Sequence, residues 1–126
     1  MIVGVGCDLV DSRRIAKLLN KYPGRFAKRI LSESELMVFD SIADVNNRKI
    51  SFLSKRFAAK EAVSKALGIG IGKDISFCDI SVENTSEGAP FVKIPEHFRL
   101  SRQGYKIQIS ISDEWPMALA FVVISI

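Results

Sequence analysis

Apolar and polar residues alternate with a period of two over residues 1–10. One side of this pattern carries Val3, Val5, Cys7 and Leu9. The other side carries Ile2, Gly4, Gly6 and Asp8. A period of two predicts a β-strand, and the two glycines leave one of its faces open to the close approach of another segment. Asp8 lies at the edge of that open face.

The segment that follows predicts two short helices. Asp11 and Ser12 can cap a first helix that runs to about residue 20. Ser32 and Glu35 have the spacing of a capping box, which predicts the start of a second helix. A basic and aromatic stretch, residues 25–29, lies between the two.

The longest helical pattern covers residues 50–67 and ends at Gly68, since glycine often follows the last turn of a helix. Its apolar residues do not form a single stripe. One side carries Ile50, Leu53, Phe57 and Ala58. The opposite side carries Phe52, Ala59 and Val63. We expect a helix that is apolar on two sides to be central, or to pack between its own sheet and a neighbouring subunit.

The second half of the chain predicts antiparallel strands. Residues 80–82 and 91–94 form one alternating pair, and residues 106–112 and 117–126 form a hairpin. Residues 95–103 predict a short helix. Helices in the first half and strands in the second indicate an α+β fold. In this fold an N-terminal strand and the helices, including the long central one, pack on a mainly antiparallel sheet.

The length, apolar content and net charge of the chain indicate a single domain with an acidic partner. The chain has 126 residues, 48% of them apolar, and we expect residues 1–126 to form a single domain. Its 18 Lys and Arg outnumber 14 Asp and Glu, and the net charge of +4 favours an acidic partner. Nucleic acid, a phosphorylated cofactor and an acidic protein fit this charge equally well. The almost wholly apolar residues 117–126 favour association with another subunit.

The cysteines and the apolar runs bear on the cellular compartment. Cys7 and Cys78 each lie in an apolar run, and we expect both to be reduced core residues. No signal peptide precedes the first strand, and no apolar run approaches the roughly 20 residues that span a bilayer. These features predict a soluble, cytoplasmic protein that has no membrane partner.

A glycine-rich segment follows the long helix at residues 68–73. Dinucleotide fingerprints and phosphate-binding P-loops open a helix so that backbone amides point at phosphate, whereas this segment follows one. The Walker spacing also requires glycine at Leu67 and Ser or Thr at Asp74. A helix C-cap followed by a flexible turn is therefore the favoured interpretation.

Two carboxylates are candidate metal ligands. Glu61 and Lys65 lie four residues apart and share a helix face, which usually indicates an exposed ion pair. Glu61, however, falls within an apolar stripe, where a buried carboxylate needs a partner such as a metal. Asp8 has the alternative interpretation of a strand-end cap. Two carboxylates from separate elements, with Arg56 and Lys60 close by in sequence, suit Mg²⁺ and a pyrophosphate.

Two motifs carry a resemblance to a known family. The first is Gly4-Val5-Gly6-Cys7-Asp8-Leu9-Val10, followed by Arg14-Ile15. The second is Arg56-Phe57-Ala58-Ala59-Lys60-Glu61-Ala62, continued by Lys65-Ala66-Leu67-Gly68. With further similarity at residues 75–80 and 110–114, the chain resembles the holo-acyl-carrier-protein synthases over nearly its whole length.

This resemblance implies an enzyme of fatty acid biosynthesis that transfers the 4′-phosphopantetheine arm of coenzyme A to a serine of an acyl carrier protein. It implies catalytic roles for Asp8, Glu61 and Lys65, with Asp8 and Glu61 binding Mg²⁺. Arg56, Lys60 and Lys65 would contact the phosphates of coenzyme A. Further residues expected at the cofactor are Gly68, Ile69, Gly70, Ile71, Gly72 and Gln108.

The resemblance also implies a homotrimer with active sites between subunits. Arg14, Arg25, Phe26 and Arg29 match positions where the family grips the acidic helix of the carrier protein. Without the resemblance these basic residues would be interpreted as a solvated face.

Gln108 departs from the family pattern, because many members have histidine there and glutamine cannot act as an acid or base at neutral pH. We therefore expect Glu61, directly or through a water, to deprotonate the serine, and Lys65 to stabilise the leaving phosphate. Two other classes stay open. A small nucleic-acid-binding protein fits the charge but explains neither Asp8 nor Glu61, so no nucleic acid is expected. A non-catalytic structural subunit is the second alternative.

Overall fold

A three-stranded antiparallel sheet and one long helix form the centre of the structure. The computed structural model describes the backbone of residues 1–126 and every side chain except that of Leu100. The elements in chain order are β1 (Ile2–Asp11), α1 (Ser12–Lys21), α2 (Arg25–Ile30), α3 (Glu33–Ser41), α4 (Arg48–Leu67), a 3₁₀ turn (Phe77–Asp79), β2 (Ser81–Asn84), β3 (Pro90–Lys93), α5 (Glu96–Ser101), β4 (Lys106–Glu114) and β5 (Met117–Ser125). The sheet order is β1-β5-β4, and β2 and β3 form a separate hairpin. The predicted α+β fold is confirmed.

Helix α4 packs against one face of β1 at a distance that only glycine permits. An added Cβ at Gly4 would lie 2.0 Å from the carbonyl oxygen of Ala66, and one at Gly6 would lie 1.9 Å from that of Ala62. The open face predicted for the strand is therefore filled by the backbone of α4. Because side chains alternate along a strand, Asp8 lies on the same face and points toward this helix.

The core surrounds α4. Its buried apolar residues are Leu53, Ala58, Ala59, Ala62, Val63 and Ala66. The sheet contributes Val10, Ala118, Ala120, Val122 and Ile124. On its other sides α4 contacts α1, α2, α3 and β2, which explains its two apolar sides and confirms the predicted central position. No helix in the described part of the chain has the length and apolar character needed to cross a bilayer.

The other face of the sheet, here called the outer face, exposes apolar side chains. They include Val3, Val5, Leu9, Leu119 and Phe121. Val5 lies opposite Val123, which lies opposite Gln108 on β4. Residues directly opposite one another share a face of a sheet, so Gln108 also projects from the outer face.

The start of α3 was predicted correctly. The burial of the cysteines was predicted wrongly, and helix α2 was not predicted. The capping box between Ser32 and Glu35 is present. Cys7 and Cys78 are free but exposed, so the expectation that they are core residues was wrong. The glycines of β1 face α4, and alternation therefore turns Cys7 to the outer face. The basic stretch that starts at Arg25 is also a short helix, α2, which the sequence pattern did not predict.

The contact between β1 and α4 makes a prediction about stability. The Gly6→Ala variant would place a Cβ against the carbonyl oxygen of Ala62, and we expect the free energy of unfolding to fall by about 3 kcal/mol. Gly70→Ala is the matched control, because a Cβ there would meet nothing within 4 Å. We expect the control to change this free energy by less than about 0.5 kcal/mol. Urea unfolding followed by circular dichroism measures both, and equal losses would contradict the proposed steric cause.

Candidate active site

The packing of β1 on α4 brings three predicted site residues together. The Lys65 Nζ donates hydrogen bonds to the Asp8 Oδ1 at 3.1 Å and to the backbone oxygen of Cys7 at 2.9 Å. Glu61 lies one helical turn before Lys65 and is half-buried. Asp8, Glu61 and Lys65 therefore form a charged cluster where the strand meets the helix.

The electrostatics of Glu61 favour an additional cation at this cluster. Burial raises the pKa of the Glu61 carboxyl, and the negative charge of Asp8 raises it further. The positive charges of Lys65 and Arg14 oppose this shift. Two carboxylates that repel each other in a half-buried position are stabilised when a cation binds between them.

The donor set fits Mg²⁺ better than a metal held by protein alone. Within the described residues no group of three or more His, Cys, Asp or Glu side chains comes together. Mg²⁺ prefers oxygen ligands and usually binds through one or two carboxylates, substrate phosphates and water. Asp8 and Glu61 could supply two carboxylates to such an ion, which would leave its other positions for a phosphorylated substrate.

A cavity of about 830 Å³ lies beside Glu61 and is called the main cavity here. Its lining comprises Leu18, Tyr22, Arg25, Phe26, Lys28, Arg29, Ile30, Phe57, Glu61 and Phe77. The rings of Phe57 and Phe77 stack with centroids 5.1 Å apart and form an apolar wall. The cavity thus combines a carboxylate, an apolar wall and basic side chains, which suits a substrate with both charged and apolar parts.

Three of the four predicted partner-binding residues line this cavity. Arg25, Phe26 and Arg29 lie on α2 and line it. Arg14 is exposed on α1, and its charge acts on Glu61. Helices α1 and α2 therefore present a basic surface next to the charged cluster.

Arg56 faces a second cavity, of about 320 Å³, on another side of α4. Its Nη2 donates to the Asn84 Oδ1 at 2.8 Å, and its guanidinium lies 4.6 Å from the centre of the Phe52 ring. The Nε is buried and has no hydrogen-bond partner among the described residues. Burial lowers the pKa of Arg56, and the nearby Glu35 carboxylate opposes that shift.

Lys60 differs from Arg56 and Lys65, the other predicted phosphate contacts, because it lies inside the core. The side chain is fully buried, and its Nζ donates to the Glu35 Oε1 and the Ile30 backbone oxygen, each at 2.5 Å. Burial lowers the pKa of Lys60, and the charge of Glu35 opposes that shift. In this conformation Lys60 has no exposed surface with which to contact a phosphate.

The remaining cofactor candidates lie at two separate places. Gly68 ends α4 in the left-handed conformation with φ of 69°, so the C-cap interpretation is confirmed. Ile69 lines a smaller cavity, of about 250 Å³, together with His97. Gln108 is exposed on the outer face, and within one chain it points away from Asp8.

Sequence reasoning missed three features of these cavities. Glu35 was identified only as a capping residue, although its carboxylate also contacts Lys60. Asn84 was not identified as a site residue, although its Oδ1 accepts a hydrogen bond from Arg56. Phe77 begins a 3₁₀ turn that is capped by Ser76 and Asp79, a capping-box spacing that was not recognised in the sequence. The contacts of Glu35 and Asn84, in contrast, join segments that are distant in sequence, so no local spacing could reveal them.

Comparisons with known proteins agree with one another. A family model described as the 4′-phosphopantetheinyl transferase superfamily matches residues 4–120. The chain is also similar to a holo-[acyl-carrier-protein] synthase of Orientia tsutsugamushi (strain Ikeda). The two are 40% identical over 130 residues, which cover 99% of this chain and 98% of that protein.

Solved structures show the same relationship. The crystal structure of holo-[acyl-carrier-protein] synthase (AcpS) from Neisseria meningitidis is 38% identical, with a TM-score of 0.89 and coverage of 100% of both chains. The holo-(acyl-carrier-protein) synthase from Bacillus anthracis str. Ames was solved in complex with CoA (3′,5′-ADP). It is 40% identical, with a TM-score of 0.84 and coverage of 98% of this chain and 96% of that one. The chain therefore belongs to the 4′-phosphopantetheinyl transferase superfamily.

Proposed function

We propose that the protein is a holo-acyl-carrier-protein synthase. It transfers 4′-phosphopantetheine from coenzyme A to a serine of an apo-acyl carrier protein and releases adenosine 3′,5′-bisphosphate. The family match, the 40% identical synthase and the relative solved with CoA support this reaction. The observation that carries it is the cluster of Asp8, Glu61 and Lys65 beside a cavity with basic and apolar walls.

The proposed divalent ion is Mg²⁺, held by Asp8 and Glu61. When bound there, it supplies positive charge to the pyrophosphate oxygens of coenzyme A. Lys65 is at present the counter-ion of Asp8, and its side chain is 52% exposed, so the ammonium can turn toward a phosphate. Arg56 provides a buried cation at the second cavity for another phosphate of the same co-substrate.

In the proposed transfer, the serine oxygen attacks the β-phosphorus of coenzyme A and the bond from that phosphorus to the bridging oxygen breaks. Glu61 takes the serine proton, directly or through a water, because its half-buried carboxylate is the candidate base beside the main cavity. Lys65 stabilises the negative charge on the leaving phosphate, which is the 5′-phosphate of adenosine 3′,5′-bisphosphate. Lys60 serves the fold rather than the substrate in this scheme.

The carboxylate cluster is tested by Asp8→Asn and Glu61→Gln, which remove charge and keep shape. We expect each to lower the rate of transfer at least about a hundredfold, because each removes a proposed metal ligand. Mass spectrometry of the carrier protein measures the rate of transfer under three conditions: with Mg²⁺ present, after Mg²⁺ is removed, and after it is added back. The control is Glu87→Gln, an exposed carboxylate in the turn between β2 and β3. Near-normal transfer by either cluster variant would refute that residue's assignment.

The basic surface of α1 and α2 is proposed to bind the acidic carrier protein through Arg14, Arg25, Phe26 and Arg29. We expect Arg29→Glu to raise the KM for the carrier about tenfold and to leave the KM for coenzyme A nearly unchanged. Arg99→Glu is the matched control, since Arg99 is an exposed arginine on α5 and the change in net charge is the same. Steady-state kinetics at two salt concentrations measure both constants. Equal effects of the two variants would show that net charge alone is responsible.

We further propose that the protein assembles as a homotrimer through the outer face. Val5, Leu9 and Phe121 are 53%, 62% and 44% exposed there, which is unusual for apolar side chains in the middle of strands. Gln108 projects from the same face, away from Asp8 of its own chain. A second copy would therefore be needed to bring a Gln108 to the cluster of Asp8, Glu61 and Lys65.

Assembly is tested by Phe121→Glu, which places a charge on the outer face. We expect this variant to sediment as a monomer and to lose transfer activity, because each active site would lack the neighbouring copy. The control is Val45→Glu, since Val45 is also apolar and 52% exposed but lies between α3 and α4. Analytical ultracentrifugation measures the mass of each variant. A Phe121→Glu protein that remains assembled and active would contradict the proposed interface.

We also propose that residues 1–126 act as one domain and that the reaction takes place in the cytoplasm, where coenzyme A is available. The holo-carrier protein produced there would serve fatty acid biosynthesis.

A further inference from the structure

Glu35 is a buried carboxylate whose two oxygens contact four different groups. Its side chain is 1% exposed. The Oε1 accepts hydrogen bonds from the Ser32 backbone N–H at 2.7 Å and from the Lys60 Nζ at 2.5 Å. The Oε2 accepts from the Val82 backbone N–H at 2.9 Å and lies 3.7 Å from the Arg56 Nε.

Stability alone is a weak explanation for this cluster. Buried ion pairs lose much of their attraction to the loss of hydration, and apolar replacements are often as stable. Capping α3 requires only the contact with Ser32, which a surface glutamate makes equally well. The burial of Glu35 beside two cations on α4 therefore suggests a role for the charges themselves.

The two cations differ in their surroundings. Lys60 is fully enclosed, and its second hydrogen bond ends on the backbone oxygen of Ile30, at the end of α2. Arg56 lies one helical turn earlier and lines the second cavity, with one nitrogen held by Asn84 and the Nε without a hydrogen bond among the described residues. Glu35 thus connects to the fold through Lys60, Ser32 and Val82, and to the second cavity through Arg56.

We propose that Glu35 is a positioning residue that acts through Arg56. The negative charge of Glu35 offsets the cost of burying the Arg56 guanidinium and holds its Nε toward Oε2. Asn84 fixes the opposite side of the guanidinium by accepting from Nη2. The guanidinium is thereby kept in one orientation at the second cavity, ready for a phosphate oxygen. This inference rests on the proposed function, in which that phosphate belongs to coenzyme A.

The two connections can be separated by substitution. Glu35→Gln alone would leave the enclosed Lys60 without a counter-charge, which endangers the fold. The Lys60→Met variant removes that charge and keeps the contact between Glu35 and Arg56, so it serves as the reference protein. In the reference protein we expect the Kd for coenzyme A to stay within about threefold of the unchanged protein. Adding Glu35→Gln to it should raise this Kd about tenfold and leave the KM for the carrier unchanged.

A double-mutant cycle then shows whether Glu35 acts through Arg56. Arg56→Ala in the reference protein should raise the Kd for coenzyme A about tenfold or more. In the protein that already carries Glu35→Gln, the same change should add no more than about twofold, because the guanidinium is no longer held in place. Isothermal titration calorimetry with coenzyme A measures all four proteins, and thermal unfolding checks that each is folded.

Three outcomes would overturn the inference. The first is an unchanged Kd on adding Glu35→Gln, and the second is an equal effect of Arg56→Ala with and without it. The third is a Glu35→Gln, Lys60→Met protein that does not fold, since the carboxylate would then serve the fold itself. Failure of the unchanged protein to bind coenzyme A would instead refute the proposed function, so the two failures are distinguishable.

Discussion

The direct contact between the backbone of β1 and the backbone of α4 is the constraint on which the rest of the site depends. Side chains normally separate a helix from a sheet, but Gly4 and Gly6 remove them at this crossing. Only at this short distance does Lys65 reach both Asp8 and the backbone oxygen of Cys7. The glycines thus place a strand carboxylate and a helix carboxylate in one cluster without contributing any chemistry of their own.

The two lysines of α4 show how packing divides similar residues between structure and chemistry. Lys60 is completely enclosed and satisfied by Glu35 and Ile30, whereas the side chain of Lys65 is 52% exposed and contacts Asp8. They lie five positions apart on the helix, so they point in different directions around the axis. Lys60 points to the junction of α2, α3 and β2, whereas Lys65 points to β1. Position on the helix, rather than residue type, therefore decides which cation is free to meet a substrate.

The sequence predicted the parts of the fold that depend on local pattern. The glycine face of β1, the capping box at Ser32 and the C-cap at Gly68 were all recognisable, because each rests on residues close in sequence. The two motifs, one with Asp8 and the other with Glu61, also indicated the candidate site. Sequence could not assign Lys60, since its partner Glu35 comes from another helix and no spacing links the two. The exposure of Cys7 was missed for a related reason. Alternation defines two faces of a strand but does not tell which of them the core covers.

The strand order of the sheet also has a consequence for how the protein is made. Strand β1 leaves the ribosome before the other described elements, yet its sheet partner is β5, the last of the described strands. The strand of Asp8, which lies opposite Ala120, therefore stays unpaired until β5 has been synthesised. Pairing between such distant segments slows folding and leaves an apolar strand edge exposed in the meantime. The three-stranded sheet should accordingly be among the last features to form in a newly synthesised chain, and a chain that ends before β5 would leave both β1 and β4 without their partner.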